Sequence, residues 1–218
     1  TIETPAGLVE AFPEVEDGRV ERVGVQTVRS YVVDAVSLEV SVDGTERTIE
    51  ADIVYAGNYF AMLPSDQVEM AVDTSNTAEF IDWGLAIRSA INEELSVTDP
   101  LSGDPVEVEL TEFYDGSGPV DRNIVVFADG AVDRSPCGTG TCAKMTLLHE
   151  KGKLDLEEPY PHESVIGTKF EGELLEAETQ DGVTVTTPEV RGSAHIVADH
   201  TFVLDETDPT PSFSVFDR

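Results

Sequence analysis

Apolar and polar residues alternate along much of the chain. Residues 22–28 (RVGVQTV) and 31–40 are rich in valine and change character at every second position, as half-buried strands do. Asp43-Gly44 supplies a turn, and residues 48–55 read as the returning strand. The same pattern predicts strands at 106–113, 123–127, 163–170, 183–187 and 193–204, with turns at Glu171-Gly172 and Asp181-Gly182. Gly57-Asn58-Tyr59-Phe60 reads as a tight turn after a strand. Two stretches switch to a helical period. Residues 77–95 set Phe80, Trp83 or Gly84, Ile87, Ile91 and Leu95 on one face, with Asn76 or Thr77 as the cap. A second helix is predicted from about Gly138 to Lys151, with Ala143, Leu147 and Leu148 inward and Gly152 as its stop. Segments 99–105, 115–121 and 207–211, rich in Asp, Gly and Pro, read as loops. Strands follow one another without regular helical crossovers, so the fold class is α+β with mainly antiparallel strands.

Composition narrows the function. A chain of 218 residues, 40% hydrophobic, can bury a substantial core as one large domain or two small ones. Its apolar runs are too short to span a bilayer, and its start lacks the basic and apolar regions of a signal peptide. Two cysteines exclude a disulfide scaffold, and these features together point to a reducing cytoplasm. Lys and Arg number 13 against 44 Asp and Glu, for a net charge of −31. That field repels nucleic acid and anionic membranes, so neither is an expected partner. The acids are spread through folded-looking segments, as at Glu50, Asp52, Asp155, Glu157 and Glu158. A surface adapted to high salt, where screening cuts self-repulsion, accounts for this; an ordinary acidic protein is the plainer alternative.

One stretch carries chemistry: Asp133-Arg134-Ser135-Pro136-Cys137-Gly138-Thr139-Gly140-Thr141-Cys142. It follows a predicted strand and opens a helix. Pro136 ends the extended segment, while Gly138 and Gly140 admit close backbone approach to a ligand. The first helical N–H groups then face a carboxylate or phosphate. Cys137 at the positive helix end is expected to have a lowered thiol pKa. Thr139 and Thr141 add hydroxyl donors, and Asp133 can accept from an ammonium group. A nucleophilic cysteine needs a histidine partner, and the sequence drives none of His149, His162, His195 or His200 toward Cys137. A general base needs only to reach a proton on the substrate. An amino acid held by its carboxylate at the helix end would offer its α-carbon to Cys137. Cys142, inside the helix, reads as a core thiol. The histidines lack metal-site spacing and read as packed or surface groups; no metal is expected.

These residues resemble a known family. DRSPCGTGT followed by Cys-Ala-Lys-Met is similar to the second cysteine motif of the proline racemase family, which includes proline racemases, 4-hydroxyproline epimerases and trans-3-hydroxyproline dehydratases. Thr4-Pro-Ala-Gly-Leu-Val9 is similar to its TPAG strand, and Ala56-Gly57-Asn58-Tyr59-Phe60-Ala61 to its GGNFFA segment. Lys151-Gly152-Lys153-Leu154 and Glu163-Ser164-Val165-Ile166-Gly167 continue the likeness over nearly the whole chain. The resemblance implies racemisation or epimerisation at the α-carbon of proline or hydroxyproline by two cysteines acting as acid and base, with no cofactor and no metal. It implies that Cys137 is the second catalytic cysteine, that Asp133, Gly138 and Thr139 hold the substrate's amino and carboxylate groups, and that Phe127 lines the ring pocket. Dehydratases of the family carry Thr where Cys137 stands, so Cys137 favours a racemase or epimerase. Phe127 and the Val-Phe-Ala-Asp run favour proline over 4-hydroxyproline. A truncated, non-catalytic imino-acid-binding remnant is the reading from another class.

The implied fold is that of diaminopimelate epimerase: two antiparallel barrel-like sheets, each around a central helix, with the site in the cleft between them. Residues 41–192 would form the second domain, and 1–40 and 193–218 parts of the first. The expected partners are a small-molecule substrate and a second copy of the chain, as a homodimer. The family's first cysteine sits in a Met-Cys-Gly-His motif before the TPAG strand, where this sequence begins. The expectation is therefore an incomplete first domain, an exposed apolar sheet face, and a chain that self-associates or is unstable alone.

Overall fold

A computed structural model describes residues 1–4, 7–201, 203, 205 and 207–209. Pro5 and Ala6 of the TPAG segment lie outside the described residues. So do Phe202 and Leu204 of the strand expected at 193–204, and residues 210 and 211 of the last loop. In chain order the strands are β1 (Ile2–Thr4), β2 (Gly7–Glu16), β3 (Arg19–Gln26), β4 (Ser30–Val42), β5 (Thr45–Tyr55) and β6 (Tyr59–Pro64). Helix α1 (Thr77–Glu94) leads to β7 (Leu110–Asp115) and β8 (Asp121–Phe127). Helix α2 (Gly138–Glu150) leads to β9 (Tyr160–Ser164), β10 (Lys169–Gln180) and β11 (Val183–Gly192).

The strands form one sheet in the order β1-β2-β3-β11-β10-β9-β8-β7-β6-β5-β4, and β11 also pairs with β4. That last pairing closes β4 to β11 into a ring, from which β1–β3 extends as a ribbon. The pairs β6–β7 and β8–β9 are parallel and the other pairs among the described residues are antiparallel, so the sheet is mixed. Parallel pairs need crossovers, and the two helices provide them.

The two faces of the ring bury different cores. Phe60, Met62, Leu110, Val125 and Leu174 point to α2, whose residues from Gly140 to Leu147 are all buried. Such a helix has no solvent face, and α2 touches β4, β5, β6, β10 and β11 around the ring. Ala61, Leu63, Phe113, Ile124 and Val126 point the other way, to Phe80, Trp83, Ile87 and Ile91 of α1. This is the apolar face read from the sequence, and Asn76 is the residue before the first turn. Among the described residues no helix is long and apolar enough to cross a membrane.

Several local expectations need correction. Glu171-Gly172 is not a turn: both residues pair within β10. Gly172 is there because a Cβ would lie 2.5 Å from Met145 Sδ of the central helix. The span 163–170 is broken by a turn, with Gly167 at φ +84°. In 106–113 pairing starts only at Leu110, because the Val106 N–H donates to Val97 O and the Val108 N–H to Asn92 Oδ1. Described residues of 193–204 form no strand, and Ile196 stands fully in solvent with no partner strand to cover it. The turn at Gly57-Asn58 is followed at once by β6, whose apolar run is buried on both faces and so does not alternate. Alternation does not predict the ribbon β1–β2, and the resemblance implies a strand there only at residues 4–9. Its Leu8, Phe12 and Val15 are exposed, as is Val20 of β3.

Candidate active site

The site is assembled at the mouth of the ring, where β8 hands over to α2. Asp133 Oδ1 accepts from the Ser135 N–H at 2.8 Å and from its hydroxyl at 2.9 Å, and the Ser135 Oγ accepts from the Cys137 N–H at 3.1 Å. This compact turn sets Cys137 as the residue preceding α2, with φ 62° and ψ 122°. A non-glycine residue there costs about 1–3 kcal/mol, and such strain persists only where the surroundings impose it. Pro136 O accepts from Asn123 Nδ2 at 2.8 Å and from Thr141 Oγ1 at 3.3 Å, which pins the peptide just before the strained residue.

Cys137 Sγ accepts from the Gly140 N–H at 3.4 Å and lies 3.5 Å from Thr139 Oγ1. A helix start leaves its first N–H groups without intrahelical acceptors. Gly140 spends its own on sulfur, which leaves those of Gly138 and Thr139 for an anion in front of the helix. The thiol itself departs from expectation. Cys137 is 5% exposed, tucked under the first turn, and burial pushes its thiol up to about 12. Hydrogen bonds from Thr139 and the Gly140 N–H pull the other way, while the charges of Glu112 and Asp133 push it higher. Burial outweighs the helix end, so Cys137 rests as a thiol.

Of the sequence candidates, Asp133, Cys137, Gly138 and Thr139 fall on one continuous turn and helix start. Phe127 ends β8 and is exposed, beyond the hairpin that leads to Asp133. A cleft of about 620 Å³ opens beside Thr139, walled by residues 56–58, by Val25 and Val28, and by Thr4. Four of the segments that line it, around Thr4, Val25, Gly57 and Thr139, are far apart in sequence and converge on one cavity. Cys142 lies deeper on α2, fully buried, with Sγ 3.3 Å from Thr27 Oγ1.

Behind the cysteine lies a polar cluster of which the sequence reading singled out Thr141 alone, as a site donor; its hydroxyl instead turns inward to Pro136 O and His162 Nδ1. Glu112, Asn123, Thr141, Lys144 and His162 are all buried. Asn123 Nδ2 donates to Glu112 Oε1 at 3.0 Å, and His162 Nδ1 meets Thr141 Oγ1 at 3.0 Å. The Lys144 ammonium sits over the Tyr114 ring and 3.8 Å from Asp121 Oδ2, which also accepts from the Tyr160 hydroxyl at 2.8 Å. Burial pulls Lys144 down to about 8 and His162 down to about 3. The missed signal was register: in Leu110-Thr111-Glu112-Phe113, Glu112 shares the inward face with Leu110. Among the described residues no three His, Cys, Asp or Glu side chains gather as a metal site.

Comparison with known proteins gives a consistent picture. The family model described as Proline racemase matches residues 1–213. Proline racemase of Acetoanaerobium sticklandii is 37% identical over 213 residues, covering 95% of this chain and 63% of that protein. The 4-hydroxyproline 2-epimerase of Streptosporangium roseum is 34% identical over 220 residues, covering 96% and 63%. A crystal structure of a probable proline racemase from Agrobacterium radiobacter K84, with bound carbonate, superposes with a TM-score of 0.81 at 28% identity, over 96% of this chain and 61% of that one. The chain therefore spans less than two thirds of the length of these relatives.

Proposed function

The chain belongs to the proline racemase family, and we propose that it carries one acid–base half of an enzyme that inverts the α-carbon of proline or hydroxyproline. The observation that carries this reading is the strained, over-determined Cys137 at the start of a helix whose next N–H groups are free to bind a carboxylate. In this reading the N–H groups of Gly138 and Thr139 hold the substrate carboxylate, and Asp133 accepts from its ammonium. Cys137 Sγ, as thiolate, takes the α-proton, leaving the electron pair on the α-carbon. In the reverse direction the thiol returns a proton to the same face. While the proton rests on sulfur it can exchange with solvent, so deuterium from D₂O can return to the same face.

Inversion needs a second acid on the opposite face. Cys142 does not supply it, because it lies further along the same helix and faces Thr27. We place the second acid in a part of the protein beyond these 218 residues. The ring β4–β11 is then the second of two domains of the diaminopimelate epimerase type, its start moved from residue 41 to Ser30 because β4 pairs with both β5 and β11, and the exposed β1–β3 ribbon belongs to the first. Cys137 favours a racemase or epimerase over a dehydratase, with proline ahead of 4-hydroxyproline.

The test is α-proton exchange in D₂O, followed by NMR with L-proline, D-proline and trans-4-hydroxy-L-proline separately. Exchange into one enantiomer without inversion is the expected result for this chain, and Cys137→Ser should abolish it while leaving binding intact. Unchanged exchange in Cys137→Ser would sink the acid–base assignment.

A further inference from the structure

One buried ionisable side chain is not used by the proposed reaction, although it lies against the reacting group. Glu112, in the middle of β7, is fully buried. Its Oε1 accepts from Asn123 Nδ2, the same amide that donates to Pro136 O beside Cys137. Its Oε2 has no hydrogen-bond partner among the described residues. That oxygen points at Gly140, where an added Cβ would lie 2.5 Å from Oε2 and 3.4 Å from Cys137 Sγ. Carboxyl and thiol therefore occupy two sides of one missing methyl group.

We propose that Glu112 is a positioning residue for Cys137, acting through the Asn123 amide that ties its carboxyl to the peptide before the cysteine and through its own charge against the sulfur. The proposal rests on reading Cys137 as an acid–base group. The groups that face Glu112 come from every side. From α2 come Cys142 and Lys144; from β8, Asp121; from the turn before α2, Asp133 and Cys137; from β9, Tyr160 and His162; from its own strand, Tyr114. Lys144 and Asn123 favour the carboxylate, while Asp121 and Asp133 oppose it, and burial outweighs them all, holding Glu112 up to about 7. His162 adds no cation, since burial keeps it neutral. Thr141 Oγ1 meets His162 Nδ1 at 3.0 Å, and His162 Nε2 lies 4.0 Å from Glu112 Oε1.

Glu112 thus changes charge near neutrality, directly behind the thiol. Once ionised, it makes a second negative charge on Cys137 harder to form. The linkage runs in one direction. Thiolate forms most readily while Glu112 holds its proton, and above neutrality the carboxylate keeps Cys137 in its protonated, proton-donating form.

The thiol can be read without substrate. The chain has two cysteines, so [¹³Cβ]cysteine labelling yields two signals, and Cys142→Ala assigns them. In the unmodified chain the Cys137 signal should show an inflection near pH 7, well before its own titration. In Glu112→Gln that inflection should vanish and the thiol midpoint should fall by about one pH unit or more. A folded Glu112→Gln with an unmoved midpoint overturns the proposal. So does a Cys137 signal that stays flat through neutrality in the unmodified chain, a criterion that holds even if the variant fails to fold. Loss of proline exchange would strike the functional reading alone, because these titrations contain no substrate.

Discussion

Gly84→Ala should destabilise this protein, although the same change in an ordinary helix interior stabilises it. Gly84 is buried in α1, and its carbonyl accepts from Thr111 Oγ1 of β7 at 2.9 Å. A Cβ there would sit 2.9 Å from Val126 Cβ and 3.1 Å from each of its methyl groups. The closest atom is the branch point of a β-branched side chain in β8, which cannot swing aside. Helix propensity favours alanine by about 1 kcal/mol. Overpacking a well-filled core costs about 1–3 kcal/mol, and contact with an atom that cannot yield sets this site at about 2–3, so the net loss should be about 1–2 kcal/mol. Urea unfolding at high salt reports it through Trp83, the single tryptophan, which lies one residue before Gly84. Val126→Ala alone should cost about 2 kcal/mol by opening a cavity. In the double variant the two methyl contacts at 3.1 Å are gone while the Val126 Cβ position stays filled, so the clash is relieved in part and the loss should fall short of the sum by about 0.5–1 kcal/mol. A Gly84→Ala protein as stable as the parent, or strict additivity, would refute the close-approach argument. The contact matters to the site because α1 seats the outer faces of β7 and β8, whose inner residues Glu112 and Asn123 back the cysteine.

Three further outcomes are expected. Asn123→Leu removes the amide that holds both Glu112 and Pro136 O, and should cost about 2–3 kcal/mol in denaturant unfolding while slowing exchange at the substrate α-carbon. His162 is held neutral by burial, its pKa moved down from 6.5 to about 3, so its contribution is fully present above pH 6.5 and is lost as pH falls toward 3. His162→Gln should accordingly lose less stability than the parent on acidification through that window, and an identical acid limb would count against it. Finally, thermal melts in rising KCl should show a midpoint that climbs steadily, because 44 acids against 13 bases repel one another at low ionic strength; a salt-independent midpoint would mean the charge is merely tolerated.

Legibility in the sequence followed the physics of each segment. Both helices could be read within a residue or so, since an apolar stripe and a terminal glycine are local signals: Gly152 stops α2 at φ +65°. The turn from Asp133 to Cys137 was legible for the same reason, as its hydrogen bonds run between neighbours. What escaped notice depended on distant partners. Gly172 looked like a turn until Met145 was found against it, and β6 hid because burial on both faces erases alternation. Cys137 was expected to ionise easily because its sequence neighbours are a helix start. Burial in the core around α2 pushes its thiol the other way, up to about 12. Glu112 was invisible because a single acid in an alternating strand looks like a solvent position until the ring closes over it.

That closure has a kinetic consequence. The bond from Thr186 Oγ1 to Ser30 O spans 156 residues, and the β4–β11 pairing beside it joins Tyr31 to Val185. Bringing such distant segments together pays loop entropy before any contact repays it, so this seam should be the last and slowest event on the way to the native state. Helix α2 lies inside the ring and must be in place before the seam shuts. Until then, water reaches Glu112, His162 and both sulfur atoms, and none has the proton affinity it shows in the finished molecule. The chemistry of Cys137 would appear abruptly, at the final step of folding.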